Sequence, residues 1–196
     1  RSLPSRNQQY ETLIPYFAEG LANGEKVMSV MDRDLIPDHD QRLSQAGIRV
    51  DSVRQSGQIC TYCVDDTYLQ GGCFAKHRML TMLKNELAQL AHSGFSRLRT
   101  CGDMSWVLRN MPGTAEFLEY ESEVNTFLGQ YDATFMCVYD ANQISGSTMR
   151  DILNTHSHIL LGNVLYVNPY YLTPEEYNRT IITRRAAARH LDAGDS

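Results

Sequence analysis

The chain has little of several things. It carries one tryptophan and six prolines in 196 residues, and no apolar run approaches the roughly 20 residues that a bilayer-spanning helix needs. Its first residues lack the charged, apolar and small-residue succession of a secretory signal. The five cysteines, an odd number, suit reduced thiols better than a disulfide framework. Lysine and arginine number 18 against 23 acidic residues, a net charge of −5, and the one basic cluster, Arg184-Arg-Ala-Ala-Ala-Arg189, reads as a solvated helix end. Direct binding to nucleic acid or to a membrane is therefore not expected. There are no internal repeats and no low-complexity tract. A soluble, cytoplasmic protein is the expectation.

What is present is an alternation of helical and strand patterns. Leu13, Phe17 and Leu21 form one apolar stripe in a helix over Gln8 to Asn23, with Pro15 inside it as a kink and Gly24 as its stop. Lys26 to Met31 reads as a strand and Asp38 to Ala46 as a short helix. Gln58 to Val64 is a second strand, reached through an extended Ile48-Arg-Val50. Met79, Leu80, Leu83, Leu87 and Leu90 share one face of a helix over Lys76 to His92, with Gly94 past its end. Leu98 to Cys101, Thr134 to Tyr139 and Val164 to Val167 read as further buried strands, separated by helices at Thr114 to Leu128 and Ser147 to Asn154. The pattern predicts an α/β fold in three layers, a mainly parallel central sheet with helices on both faces. His158 to Leu161 and Val164 to Val167, joined across Gly162-Asn163, predict an antiparallel hairpin at the sheet edge near the C-terminus. Residues 1–183 read as one domain and 184–196 as a helical linker or tail. Pro174 to His190 is helical and polar enough to leave the globule towards an output module.

The chemistry-bearing segments sit beside strand or helix ends. Leu98-Arg-Thr-Cys-Gly-Asp-Met-Ser-Trp106 opens from a strand into a turn with an acid and the sole tryptophan. Glu119-Tyr-Glu121 with Asn125, Val138-Tyr-Asp140, Thr155-His156 and Asn168-Pro-Tyr-Tyr171 follow. With Tyr10…Leu13-Ile-Pro15…Gly20-Leu21…Gly24-Glu-Lys26, Tyr68-Leu…Gly72…Phe74 and Gly146, in order from about Ser5 to about Arg179, the chain resembles the MEDS family, the methanogen/methylotroph DcmR-type sensory domain. The resemblance implies a relative of the KaiC branch of the RecA-like fold, with a strand before Ser5 that is missing or trimmed here, or left as a remnant in Arg1-Ser-Leu3. It implies a sensory input domain for hydrocarbon derivatives such as small methylated or halogenated compounds. Its partner would be an output domain, such as a histidine kinase of a two-component system or a DNA-binding module, and it is compatible with a homodimer.

The implied fold raises the question of ATP. The nearest thing to a phosphate loop, Gly20-Leu-Ala-Asn-Gly-Glu-Lys-Val27, has a glycine spacing one short, a glutamate before the lysine and a valine where a magnesium-holding hydroxyl belongs. It also closes a helix and enters a strand, the reverse of a phosphate loop. Asp103 could sit at the magnesium position of the RecA-like fold, with nothing to complete it. A degenerate nucleotide-binding domain without hydrolysis remains an alternative.

The residues point instead to a ligand pocket without catalysis. Met104, Trp106, Tyr120, Tyr139, Tyr170 and Tyr171 would form its walls, and Asp103, Glu121, Asn125, His156 and Asn168 would orient a small molecule. Each has a plainer alternative: the aromatics as core, Glu121 paired with Arg99 or Arg109, His156 bonded to helix-terminal carbonyls. Cys60, Cys63, Cys73 and His77 supply four ligands for zinc or an iron–sulfur cluster, and so a metal or thiol redox sensor. On a regular strand, however, Cys60 and Cys63 face opposite ways, and inert buried thiols with no cofactor are the leading expectation. No nucleophile elbow or triad is present, and Glu119 and Glu121, about 200° apart on a helix, cannot flank one bond.

Overall fold

A computed structural model describes residues 6–192; the expected remnant strand at residues 1–3 lies outside them. Helix α1 (Arg6–Ala22) runs through Pro15 and ends before Gly24, whose φ of 72° turns the chain into strand β1 (Lys26–Met31). The segment that imitates a phosphate loop is thus a helix stop, and Lys26 is ion-paired with Glu86 at 2.7 Å. There follow α2 (Ile36–Gln45), α3 (Val50–Gln55), β2 (Ile59–Cys63), α4 (Lys76–Ser93), β3 (Leu98–Asp103), α5 (Phe117–Leu128), β4 (Ala133–Val138), α6 (Gly146–Leu153), β5 (His158–Leu161), β6 (Val164–Val167) and α7 (Pro174–Asp192).

Strands β1 to β4 form one all-parallel sheet in the order β2-β1-β3-β4. Side chains alternate across it as the period of two requires. Val27 of β1 packs under α1, α2 and α3 with Phe17, Leu43 and Val50. Met28 and Val30 pack under α4 and α5 with Leu83, Leu87 and Val124. The expected three layers are present. The first cluster is fastened by an ion pair: Arg99 donates to both oxygens of buried Glu25, at 2.6 and 3.0 Å, and to the Tyr16 carbonyl at 2.8 Å. Gly20 lets α1 approach this guanidinium, for a Cβ there would lie 2.9 Å from Arg99 Cδ.

Four expectations are corrected. Residues expected to extend from Ile48 to Val50 lead directly into α3, whose apolar Val50 turns into the core. The β5–β6 hairpin is antiparallel as expected but is a separate two-stranded sheet, not the edge of the main one. Strand β6 is exposed along its length, so its apolar run does not signal burial. Helix α7 also stays with the globule at its start. Thr173 and Glu176 cap it reciprocally, each backbone N–H donating to the other's side chain, and Tyr177 is buried where α7 packs on α5.

The loop before α5 is held by Phe74, whose N–H donates to the Pro112 carbonyl at 2.8 Å. Gly113 follows at φ 85°, and a Cβ there would lie 2.0 Å from the Phe74 carbonyl oxygen. Gly113→Ala should therefore cost about 2 kcal/mol or more. Gly129→Ala, at φ −63° with open space around it, should stay within about 0.5 kcal/mol. Urea denaturation of the two variants checks the contrast, and equal midpoints would refute it.

His39 is fully buried, with Nδ1 2.9 Å from the Tyr10 hydroxyl and its ring edge-on to Phe17. Burial lowers its pKa to about 4. The unfolded chain thus binds the extra proton first as pH falls, and stability is lost between about pH 6.5 and 4, by roughly 3 kcal/mol in all. His39→Gln should flatten the denaturation free energy across that window; an unchanged slope would show that His39 does not set it.

Candidate functional site

Helix α5 buries Phe117, Tyr120, Glu121 and Val124, the i, i+3, i+4, i+7 stripe of a core-facing helix. One member of that stripe is a carboxylate. Strand β4 sends Phe135, Cys137 and the following Tyr139 to the same layer, and Met136 and Val138 to the opposite one. Cys137 is thereby aimed at α5, with its thiol 3.8 Å from Glu121 Oε2. The turn after α6 brings in His156, whose Nε2 lies 3.3 Å from the same oxygen.

The histidine's proton is accounted for. Its Nδ1 lies 2.8 Å from the Ile152 carbonyl, which can only accept, so the neutral ring carries its hydrogen there and turns the bare Nε2 towards Glu121. This bears out the helix-terminal alternative for one ring nitrogen. Glu121 pairs with neither candidate arginine, since Arg99 is held by Glu25 and Arg109 by Asp32. Burial raises the Glu121 carboxyl above its ordinary range, with His156 and the Cys137 hydrogen bond pulling the other way. Burial, reinforced by the Glu121 charge, also pushes the Cys137 thiol well up.

Two predicted site residues act on the turn that carries His156. Asn125 Nδ2 donates to the Thr155 carbonyl at 2.6 Å. Asn168 Nδ2 donates to the carbonyls of Leu153 and His156, at 2.7 and 2.6 Å, while its Oδ1 accepts from the Tyr170 N–H. The chain leaving the site is thus tied to it before α7 begins.

Glu121, Cys137 and His156 open on a cavity of about 560 Å³ along β4, the last strand of the sheet. Met28, Val30, Met79 and Val124 line it with apolar surface, and the phenols of Tyr68 and Tyr120 stand among them. The size lies within the roughly 300–1,000 Å³ of small-molecule sites. Tyr139 sets its ring edge-on to His156 at 5.9 Å. Together with Met104 it lines a neighbouring cavity of about 10 Å³. The buried Tyr139 hydroxyl has no hydrogen-bond partner among the described residues.

Of the eleven predicted residues, Tyr120, Glu121, Asn125 and His156 line the large cavity, Tyr139 flanks it, Asn168 positions His156 and Tyr171 is half-buried outside the cavity lining. The others lie elsewhere. Trp106 is fully buried, stacked 4.9 Å from Tyr68 and 5.4 Å from Phe74, so it is core rather than wall. Met104 is buried in the same cluster. Asp103 caps its own turn by accepting the Ser105 N–H, and Tyr170 is exposed. No three of Cys60, Cys63, Cys73 and His77 come together, for Cys60 and Cys63 sit at separate positions of β2 and His77 is exposed on α4. Sequence reasoning missed Cys137 and Tyr68. The available signal was Cys137 itself, two residues before Tyr139 and therefore on the same face of β4.

The profile of the MEDS family, the methanogen/methylotroph, DcmR sensory domain, matches residues 3–157. The chain belongs to the MEDS family. No curated protein and no solved structure matches it. The matched span of this MEDS domain contains Glu121, Cys137 and His156, while Asn168 lies beyond it.

Asn168 is buried and makes three hydrogen bonds, so truncation strands two carbonyls and an amide. Asn168→Ala should destabilise the MEDS domain by about 2 kcal/mol and broaden the His156 ring signals in NMR spectra. A variant as stable as the wild type, with unchanged His156 signals, would show that the clamp is dispensable.

Proposed function

We propose that this MEDS domain is a non-catalytic sensory input module of a signalling or transcriptional regulator. It binds a small hydrocarbon-derived or methylated molecule in the cavity along β4. The observation that carries this reading is the composition of that cavity. Its walls are apolar, and its polar groups, Glu121, Cys137 and His156, converge at one place from three separate elements. A small molecule with an apolar body and one heteroatom matches such a site in size and polarity. No helix among the described residues is long and apolar enough to cross a membrane.

The reading also has a route for a signal. His156 sits on a turn whose carbonyls are held by Asn168, and the Asn168 side chain in turn holds the backbone that enters α7. A ligand that prefers one arrangement of that turn shifts the start of α7 by the difference in its affinity for the two arrangements, and an output domain reads the shift.

A panel of halomethanes, short alcohols and methylated amines and thiols tests the reading by thermal shift and by NMR chemical-shift mapping. Members that fit should raise the melting temperature and move the resonances of Tyr120, Cys137 and His156. Val124→Trp, which fills the cavity, should weaken binding about 10-fold or more, since only 1.4 kcal/mol is needed. Ala133→Leu, a smaller addition at the same cavity, serves if the first variant does not fold. Binding unaffected by filling the cavity, or no binding across the panel, would overturn the proposal.

A further inference from the structure

Three electron-rich atoms meet at the end of the cavity, and the hydrogen bonds around them leave a problem of charge. His156 has its one neutral-ring proton on Nδ1, committed to the Ile152 carbonyl. Its bare Nε2 therefore faces Glu121 Oε2 at 3.3 Å, lone pair towards lone pair. The sulfur of Cys137 approaches the same carboxylate at 3.8 Å, and one ligand atom from each of the three residues lies within 4.8 Å of the others. The Cys137 thiol donates to that oxygen, so what is left unbalanced is the approach of Nε2 to Oε2, which a proton on either atom or a cation held among the three residues resolves.

We propose that Glu121, Cys137 and His156 form a binding site for a divalent transition-metal ion, zinc by the chemistry of its donors. A carboxylate oxygen, a thiolate and an imidazole nitrogen are the ligand types zinc takes, with bonds of about 2.0 to 2.3 Å, which place tetrahedral neighbours about 3.3 to 3.8 Å apart. The two separations within this cluster, 3.3 Å for nitrogen to oxygen and 3.8 Å for sulfur to oxygen, lie close to that range. The second layer fits as well. A metal-bound histidine characteristically donates its other N–H to a carbonyl, as His156 does to Ile152, and that bond fixes the ring so that Nε2 points at the ion. Asn168 and Asn125 hold the turn beneath it.

Three protein ligands leave a fourth position of a tetrahedral ion open, and the cavity lies beside it. An open position distinguishes a site that exchanges ligands from a closed structural one. The site is distinct from the cysteine set of the N-terminal half, since Cys60, Cys63 and Cys73 contribute nothing to it. It also stands independently of the organic ligand, because the metal alone is the probe.

Titration of chelator-treated protein with cobalt(II), followed by displacement with zinc, tests the proposal with no organic molecule present. One equivalent of cobalt should bind and give a sulfur-to-cobalt charge-transfer band in the near ultraviolet. Cys137→Ala should abolish the band, while Glu121→Gln and His156→Gln should each weaken binding about 10-fold or more. A Cys60→Ser, Cys63→Ser, Cys73→Ser triple variant should keep it. If Cys137→Ala does not fold, X-ray absorption of the zinc-loaded wild type decides, with one sulfur and otherwise nitrogen or oxygen ligands expected. Substoichiometric binding, a band that survives loss of Cys137, or absorption showing no sulfur would overturn the proposal and leave a proton as the cluster's only positive charge.

Discussion

The main sheet and its layers follow from strands that are parallel and must be covered on both faces. A parallel ladder needs a crossover between successive strands, and here each crossover carries a helix that closes one side of the sheet. β1, β2, β3 and β4 thus end in the same direction, and the loops that leave β3 and β4, with Asp103, Met104 and Tyr139, share one end of the sheet. The α1 layer is locked by the Arg99–Glu25 pair, where both charges leave water. Such a pair gives little net stability, but breaking it leaves a buried charge uncompensated, so it specifies where α1 lies.

The α4–α5 layer is built differently. Trp106 lies at the centre of a cluster of rings, with Tyr68 and Phe74 stacked beside it and Phe117 edge-on. Such packing is dense and apolar near the β3 turn. Farther along α5 the same stripe changes character, because Glu121 occupies an apolar position and Cys137 answers it from β4. The apolar cluster makes that carboxylate expensive, and the cost is what tunes it. A charge placed here is either neutralised by a proton or balanced by a cation, and both couple the site to the composition of the solution outside.

The polar residues around the site divide by what they touch. Asn125 and Asn168 bond to backbone and shape the turn; Glu121, Cys137 and His156 turn atoms towards one another and towards the cavity. The connection to α7 passes through the first group, so the element that presents His156 is also the element that begins the exit from the domain.

The sequence by itself determined the elements, their alternation and the family. Helical and strand periods are local properties, which is why β1, α4, β5 and β6 were legible nearly to the residue. The tertiary structure decided where each element went. The β5–β6 segment reads as a buried apolar run but lies outside the main sheet, because a run of apolar residues does not record what covers it. Trp106 reads as a pocket wall and is core, because sequence does not fix which side of the chain a ring beside a strand end takes, and the Phe74 and Phe117 rings that surround it come from elsewhere in sequence. The site itself was half legible. Glu121 and His156 announce themselves as polar groups beside apolar runs, but that their atoms meet Cys137 depends on the register of β4 against β3 and on the path of the turn after α6. Those are long-range facts, and only packing sets them.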